Sequence, residues 1–210
     1  MNVKPDPPAP SPPPRPRRKA EQSEATRAAL VAAARELFAE RGYGAVGTEE
    51  IVRAAGVTRG ALYHHFGGKE DLFRAVYEEV ERELVEHIAT EAMTATDPLE
   101  ALAAGANAVL VACEDPAIQR IALMDAPSVL GWEGWREIGM RYGLGLVEAT
   151  LQAGIDAGVL APQPVRPLAH LRLGAIDEGA RLVARADDIA VARAEVSASI
   201  SGLLEALRVR

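Results

Sequence analysis

The sequence has little cysteine, few aromatic residues and no long apolar run. Of its 210 residues, one is a cysteine, Cys113, and 4% are aromatic. A single cysteine cannot form an internal disulfide, which suits a reducing compartment. The longest charge-free apolar stretch, residues 101–113, is shorter than the roughly 18 residues of a membrane-spanning helix, and the first twenty residues lack an apolar signal core. We therefore expect a cytoplasmic protein with no membrane span.

Strand patterns and catalytic motifs are also missing. No Val/Ile/Thr-rich run alternates with period two, whereas the common residues Ala, Leu, Arg and Glu favour helix. The chain has no GxSxG, GxxxxGK[ST], CxxC or HExxH motif, and no GxGxxG follows a strand. The neighbouring histidines His64 and His65 point about 100° apart on a helix, so they share one ion poorly. These absences predict an all-α protein that is not an enzyme and has neither cofactor nor metal.

The charge is unevenly distributed along the chain. The net charge of −7 argues against a nucleic-acid partner, but residues 1–69 carry 11 Lys and Arg against 7 Asp and Glu, whereas residues 70–210 carry 12 against 23. A basic N-terminal part would attract phosphate to one end of the molecule. The alternative is a chance imbalance with a short basic tail.

Residues 1–19 form a proline- and arginine-rich tail. Eight of the first 16 residues are proline, which lacks an amide donor and has a fixed φ. We expect this tail to be disordered. It is either a basic arm that contacts DNA or a solubilising leader, and the sequence leaves both open.

Residues 20–68 predict three helices. The first runs from an N-cap at Ser23 to a stop at Gly42. Thr48 is expected to cap a short second helix, and Thr58 to cap a third helix that ends near His65. Together they form the first predicted domain.

Residues 69–210 predict a larger helical domain divided by proline and glycine. A long fourth helix from Lys69 towards Met93 joins the two domains, and a loop is expected at residues 127–131. Prolines at residues 98, 116 and 167 predict the starts of three more helices, and two further helices are expected to begin near residues 132 and 188.

The segment from Gly47 to Phe66 carries the most informative pattern. Its two short helices are joined by a turn in which Ala55 allows close approach and Gly56 supplies the positive φ. With apolar residues facing inward, the second helix exposes hydrogen-bond donors, an aromatic ring and a glycine, a surface that suits a DNA groove. These exposed residues are Thr58, Arg59, Gly60, Tyr63 and His64.

This segment resembles the DNA-binding head of the TetR (tetracycline-repressor) family. The similarity rests on AAGVTRG at residues 54–60, LYHHF at residues 62–66, Lys69 at the start of the next helix, and a Leu-Phe-x-x-x-Gly-Tyr ending of the first helix. It covers about residues 24–83. Beyond that range the chain is similar only in its helical character and length.

The resemblance implies a role for individual residues. Thr48, Tyr63 and Lys69 would contact phosphates, which positions the protein without reading sequence. Thr58 and Arg59 would reach base edges at the start of the recognition helix. Gly60 would allow close approach of the backbone, and His64 occupies a variable position of the block.

The resemblance also implies an architecture. A three-helix head would be joined to a helical body, about nine helices in all, and two chains would pair through Pro167–Ala186 and Asp188–Arg208. Apolar stripes on these helices support the pairing. A homodimer would place two recognition helices about 34 Å apart, as binding to a palindromic DNA operator requires. The stripes are Leu168, Leu171, Ala175 and Leu182, and Val196, Ile200, Leu203, Leu204 and Leu207.

A ligand pocket is the second predicted site. Aromatic and thioether groups cluster around residues 124–142, and they are either core or the lining of an apolar pocket for an apolar or aromatic effector. Asp177 and Glu178 lie in a mostly apolar predicted helix. They are either a polar anchor for the ligand or a solvated pair at the edge of the dimer. The clustered residues are Met124, Trp132, Trp135, Met140 and Tyr142.

These patterns together predict a sequence-specific transcriptional regulator. We expect a repressor that an effector releases from DNA by favouring one of two body arrangements. An activator of the same fold, a helical enzyme, and an interaction protein that has lost DNA binding remain alternatives.

Overall fold

The computed structural model describes residues 16–92 and 95–209, and within these ranges it contains helices and one isolated β-bridge, between Leu160 and Arg208. The all-α prediction is confirmed. Residues 116–129 are continuously helical. When they are counted as one broken helix, the described residues contain nine helices, as the sequence predicts. The elements are α1 (Pro16–Arg41), a 3-10 turn (Tyr43–Ala45), α2 (Thr48–Ala54), α3 (Arg59–His65), α4 (Lys69–Ala92), α5 (Pro98–Ala112), α6 (Pro116–Ile118), a π-helical segment (Gln119–Asp125), α7 (Ala126–Val129), α8 (Gly131–Asp156), α9 (Val165–Ala184) and α10 (Ile189–Glu205).

Several helix ends form as the sequence predicts. Thr58 caps α3 by accepting a hydrogen bond from the Ala61 amide at 3.2 Å. Asp97 and Asp188 cap α5 and α10 in the same manner. Gly56 has φ +66°, the left-handed value that the turn between α2 and α3 requires.

Other predicted boundaries are wrong. Helix α1 begins at Pro16, not after Ser23, because proline is well tolerated in a first helical turn; only residues 1–15 of the predicted tail lie outside the described residues. Thr48 is the first residue of α2, and the capping position is Gly47, without a side-chain bond. The predicted loop at residues 127–131 is largely helical, since Pro127 also lies in a first turn.

Two apolar clusters hold the fold together. The first contains the head helices and continues into the body, where the π-helical segment, α7 and the start of α8 contribute Ile121, Ala126, Trp135 and Ile138. The second joins α5, α8, α9 and α10. Ile118 packs against both clusters. The core of the head is therefore continuous with that of the body across the predicted boundary at residue 68.

Helices α9 and α10 leave an apolar face uncovered. Leu171, Leu182 and Leu203 are 72%, 56% and 66% exposed, and Ala175 is exposed on the same side. The remainder of the predicted stripes packs inside the protomer, wholly or in part. Ile200 and Leu204 are buried in the protomer, and three further residues are partly buried against its second cluster, because they lie on the inward side of their helices: Leu168, Val196 and Leu207.

Within residues 16–92 and 95–209, no single helix has both the length and the apolar character needed to cross a membrane. Only the pair 98–112 and 116–129 meets those criteria together, and it is bent by 86°.

Candidate nucleic-acid interface and ligand cavity

Helix α3 lies on the surface with its outer side free, as the sequence predicts. Ile51 and Leu62 are fully buried, and Phe66 is buried at the end of α3, so the helix is anchored on one side only. The opposite side presents the five predicted residues to solvent, among them Tyr63 at 48% exposure. The exposed residues are Thr58, Arg59, Gly60, Tyr63 and His64, while Thr48 is half-buried at the start of α2.

Arg59 is held at the surface by its neighbours. Its Nη1 donates to Glu49 Oε1 at 2.8 Å, and its guanidinium lies 5.6 Å from the centre of the Tyr63 ring. Both charged side chains are more than 60% exposed. Because exposed ion pairs are weak, a base edge or a phosphate can replace Glu49 as the partner of Arg59.

Lys69 is half-buried and bonds the loop between α1 and α2. Its Nζ donates to the Tyr43 carbonyl at 2.9 Å and to the Val46 carbonyl at 3.0 Å, and it lies 3.9 Å from the centre of the Tyr43 ring. An ammonium has three donors, so two are used to tie the α1–α2 loop to the start of α4. This geometry favours a structural role for Lys69 over the expected phosphate contact.

Helices α4, α5, α8 and α9 enclose a cavity of about 90 Å³ together with the π-helical segment. Three of the seven predicted ligand residues line it: Trp135, Met140 and Asp177. Trp135 is fixed there because its Nε1 donates to the Ala122 carbonyl at 3.0 Å.

The other four predicted ligand residues lie elsewhere. Met124 and Trp132 line an open surface groove, which meets the cavity at Leu123. Tyr142 packs against the first apolar cluster. Glu178 is exposed and pairs with Arg181, because adjacent residues on a helix point about 100° apart and Asp177 takes the inward position.

The cavity also contains a polar cluster that the sequence analysis missed. Arg136 donates to Asp177 at 2.8 Å, and a Cβ placed on Gly139 would lie 3.9 Å from Tyr77 Oη and 4.0 Å from Glu81 Oε2. Burial raises the pKa of Glu81 to about 7; a hydrogen bond from Tyr77 opposes this shift, and the charge of Asp177 adds to it. The sequence does not mark Glu81 as buried, because it lies within the charged stretch 78–83, which has the composition of a solvated helix face.

Cys113 lies at the same cavity as a buried thiol. It is 3% exposed and belongs to the second cluster. Burial raises its pKa to about 12, with smaller contributions from the charges of Glu81 and Asp177.

The π-helical segment contacts the cavity and the head at once. Ala122 and Leu123 line the cavity, whereas Asp125 Oδ2 accepts a 2.7 Å hydrogen bond from the Tyr43 amide in the α1–α2 loop. A Cβ on Gly42 in that loop would lie 3.2 Å from Arg120 Nη1. Such π-helical turns occur frequently at functional sites, and this one joins the cavity to the head.

An exposed helix-turn-helix on a helical body with an internal cavity defines a class of protein, the helix-turn-helix regulators. Residues 30–76 match the family model described as "Bacterial regulatory proteins, tetR family", and residues 99–207 match "Tetracyclin repressor-like, C-terminal domain". The chain therefore belongs to the TetR family of transcriptional regulators.

Similar proteins agree with this assignment. The TetC protein of transposon Tn10 from Escherichia coli is 31% identical over 140 residues, which cover 67% of this chain and 71% of TetC. The regulator AcrR from Shigella flexneri is 37% identical over 83 residues, 39% of either chain.

Solved structures show the same fold. A TetR-family regulator from Pectobacterium atrosepticum is 35% identical, with a TM-score of 0.79 over 90% of this chain and 97% of that one. RolR in complex with resorcinol has a TM-score of 0.72 at 23% identity, over 88% of this chain and 89% of RolR, and shows likeness of fold alone.

Proposed function

We propose that this protein is a dimeric transcriptional repressor that binds a palindromic operator through α3 and leaves it when an effector occupies the body cavity. The observation that carries the proposal is the exposed α3 face, with Thr58 and Arg59 at its N-terminal end and Tyr63 one turn later. Arginine can bond a guanine edge in two places, and hydroxyl groups suit phosphates.

Dimerisation is supported by the apolar face of α9 and α10. Beside the exposed leucines, α10 has exposed small residues, Ala194, Ala198 and Gly202, which allow two helices to approach closely. A second copy would cover these leucines. Pairing by a two-fold axis gives two α3 helices, as two half-sites about 34 Å apart require.

Effector response is supported by the route from cavity to head. A ligand in the cavity would press on Ala122 and Leu123, and Asp125 of the same π-helical segment holds the loop before α2. A ligand that binds more tightly to one of two positions of this segment favours that position. The dimer then adopts the spacing between its two heads that belongs to that position. Coupling free energies of this kind are typically 1–3 kcal/mol.

DNA recognition is tested with duplexes selected by the protein from a randomised library. In fluorescence anisotropy, Arg59→Ala should weaken binding to the selected duplex by about 5- to 150-fold, since one arginine–guanine contact is worth about 1–3 kcal/mol, and leave random duplex binding nearly unchanged. Arg82→Ala, an exposed arginine of α4, is the control and should change neither affinity. Equal loss on both duplexes would contradict base reading by Arg59.

Effector release is tested by adding small aromatic compounds to the complex with the selected duplex. A compound that occupies the cavity should quench the fluorescence of Trp135 and raise the Kd for DNA. Asp125→Ala should leave the quenching in place and bring the ratio of the two DNA Kd values closer to one. If the Kd for DNA were the same with and without bound ligand, the proposed release would be overturned. A reporter gene behind the selected operator tests repression, and increased expression would mark an activator.

A further inference from the structure

A second chamber of about 50 Å³ adjoins the cavity, between α4, α5, α8 and α9. It is almost wholly apolar, with Val85, Leu146, Val147 and Ile176 in its wall. The two chambers share lining residues at their junction: Val85, Ile88, Val109, Gly143, Leu173 and Ile176. They therefore form one elongated space with two ends.

Arg172 is the charged group of the second chamber. Its Nη2 bonds the Leu102 carbonyl of α5, whereas its buried Nε has no hydrogen-bond partner. Burial lowers the pKa of Arg172 to about 10, and no acidic group of the described residues offsets this effect. The guanidinium thus remains charged at neutral pH in an apolar wall, with one of its donors unused.

An unpaired cation in such a place is costly. Removal of a charge from water is offset only by a close counterion and full hydrogen bonding. The planar guanidinium fork matches a carboxylate, which accepts two parallel hydrogen bonds. Arg172 lines only the second chamber, whereas Arg136, the other arginine of the space, lines the first chamber and is already paired with Asp177 at 2.8 Å, so Arg172 is the cation without a carboxylate partner.

We propose that the effector is an apolar carboxylic acid whose carboxylate binds Arg172 and whose apolar part lies in the larger chamber against Trp135 and Met140. This inference rests on the proposed function, since it names the chemical class of the effector. Cavities of about 150 Å³ hold benzene, so chambers of about 90 and 50 Å³ suit a monocyclic aromatic or a short branched acid.

The test compares acids with their neutral amides on the full chain. Phenylacetate, benzoate and 4-methylvalerate are each titrated beside the corresponding amide, with calorimetry and Trp fluorescence as readouts. At least one acid should bind tenfold or more tightly than its amide. Arg172→Gln should abolish that preference, and Arg82→Gln, which removes an exposed arginine of α4 paired with Glu79 and Glu86, should keep it.

Thermal unfolding provides a second readout. A bound acid should raise the Tm of the natural protein and not that of Arg172→Gln, since binding to the folded state alone stabilises it. A Tm that the acid raises equally in both proteins would overturn the proposal. Amides that bind as tightly as acids, an acid preference that survives Arg172→Gln, or a panel without any bound acid would do the same.

DNA release is measured separately with the same compounds. An acid that binds through Arg172 but leaves DNA affinity unchanged supports the ligand class and contradicts the proposed release. Neutral compounds that bind and release DNA support the release and contradict the role of Arg172.

Discussion

Replacement of Glu81 by glutamine should remove a pH dependence from the stability of this protein. Tyr77 of α4, Cys113 after α5, Arg136 of α8 and Asp177 of α9 line the same cavity, and burial raises the pKa of Glu81 to about 7 against an ordinary 4.5. The folded chain therefore holds a proton that the unfolded chain releases. The contribution of Glu81 to the free energy of unfolding is therefore highest below pH 4.5. It falls as the pH rises from 4.5 to 7 and is constant above pH 7.

The size of the effect follows from the two pKa values. Between pH 5 and pH 8, linkage gives a loss of about 2.5 kcal/mol per protomer from Glu81 alone. The amide of Glu81→Gln has nearly the same shape and does not titrate. We expect the variant to be more stable than the natural protein at pH 8, with most of the difference lost at pH 5.

The measurement is urea unfolding followed by Trp fluorescence at a fixed protein concentration. Glu83→Gln is the control on the same helix. A hydrogen bond from Arg35 lowers the pKa of Glu83, so its stabilising effect is lost only as the pH falls below the range used, and its substitution should cost less than about 1 kcal/mol at either pH. Equal pH slopes for the natural protein and Glu81→Gln would refute the reasoning.

Three further predictions concern the head and the dimer. Lys69→Met should lower the free energy of unfolding by about 2 kcal/mol, because it removes charged hydrogen bonds to two carbonyls. It should leave the salt dependence of DNA binding intact. If the slope of log DNA affinity against log salt concentration fell by about one, Lys69 would be a phosphate contact after all. Gly56→Ala should lower the free energy of unfolding by about 1–2 kcal/mol through strain at φ +66°, and an unchanged Tm would contradict this. Leu171→Glu should give monomers in analytical ultracentrifugation, since it places a charge on the uncovered apolar face; a persistent dimer would locate the interface elsewhere.

The DNA-binding head was predictable because its signals are local. Gly56 sets the turn, Thr58 caps α3, and the spacing of Ile51 and Leu62 decides which side of each short helix is buried. Since these relations span fewer than fifteen residues, the sequence alone indicates which side of α3 is exposed. Lys69 is the exception, because its partners Tyr43 and Val46 belong to a loop more than twenty residues earlier.

The cavity was predicted only in part because its walls come from four helices distant in the sequence. Helical spacing shows that Trp132 and Trp135 lie on the same side of their helix. It does not show that Trp132 lines a surface groove and Trp135 lines the internal cavity. Similarly, nothing in the sequence around Glu81 or Arg172 distinguishes either residue from the solvated charges beside it. Their environment is set by the packing of α4 and α9 against α5 and α8.

The charges of the body suggest how binding and response are divided along the cavity. Arg172 lies at the end away from the head, whereas Ala122 and Leu123 of the π-helical segment line the chamber that also holds Trp135. An acid held at Arg172 would extend its apolar part towards that segment and, through Asp125, towards the loop before α2. Substitution at Arg172 should then change the Kd for the ligand, and substitution at Asp125 should change the effect of bound ligand on DNA affinity. If each variant altered both quantities equally, affinity and coupling would not be separable along this space.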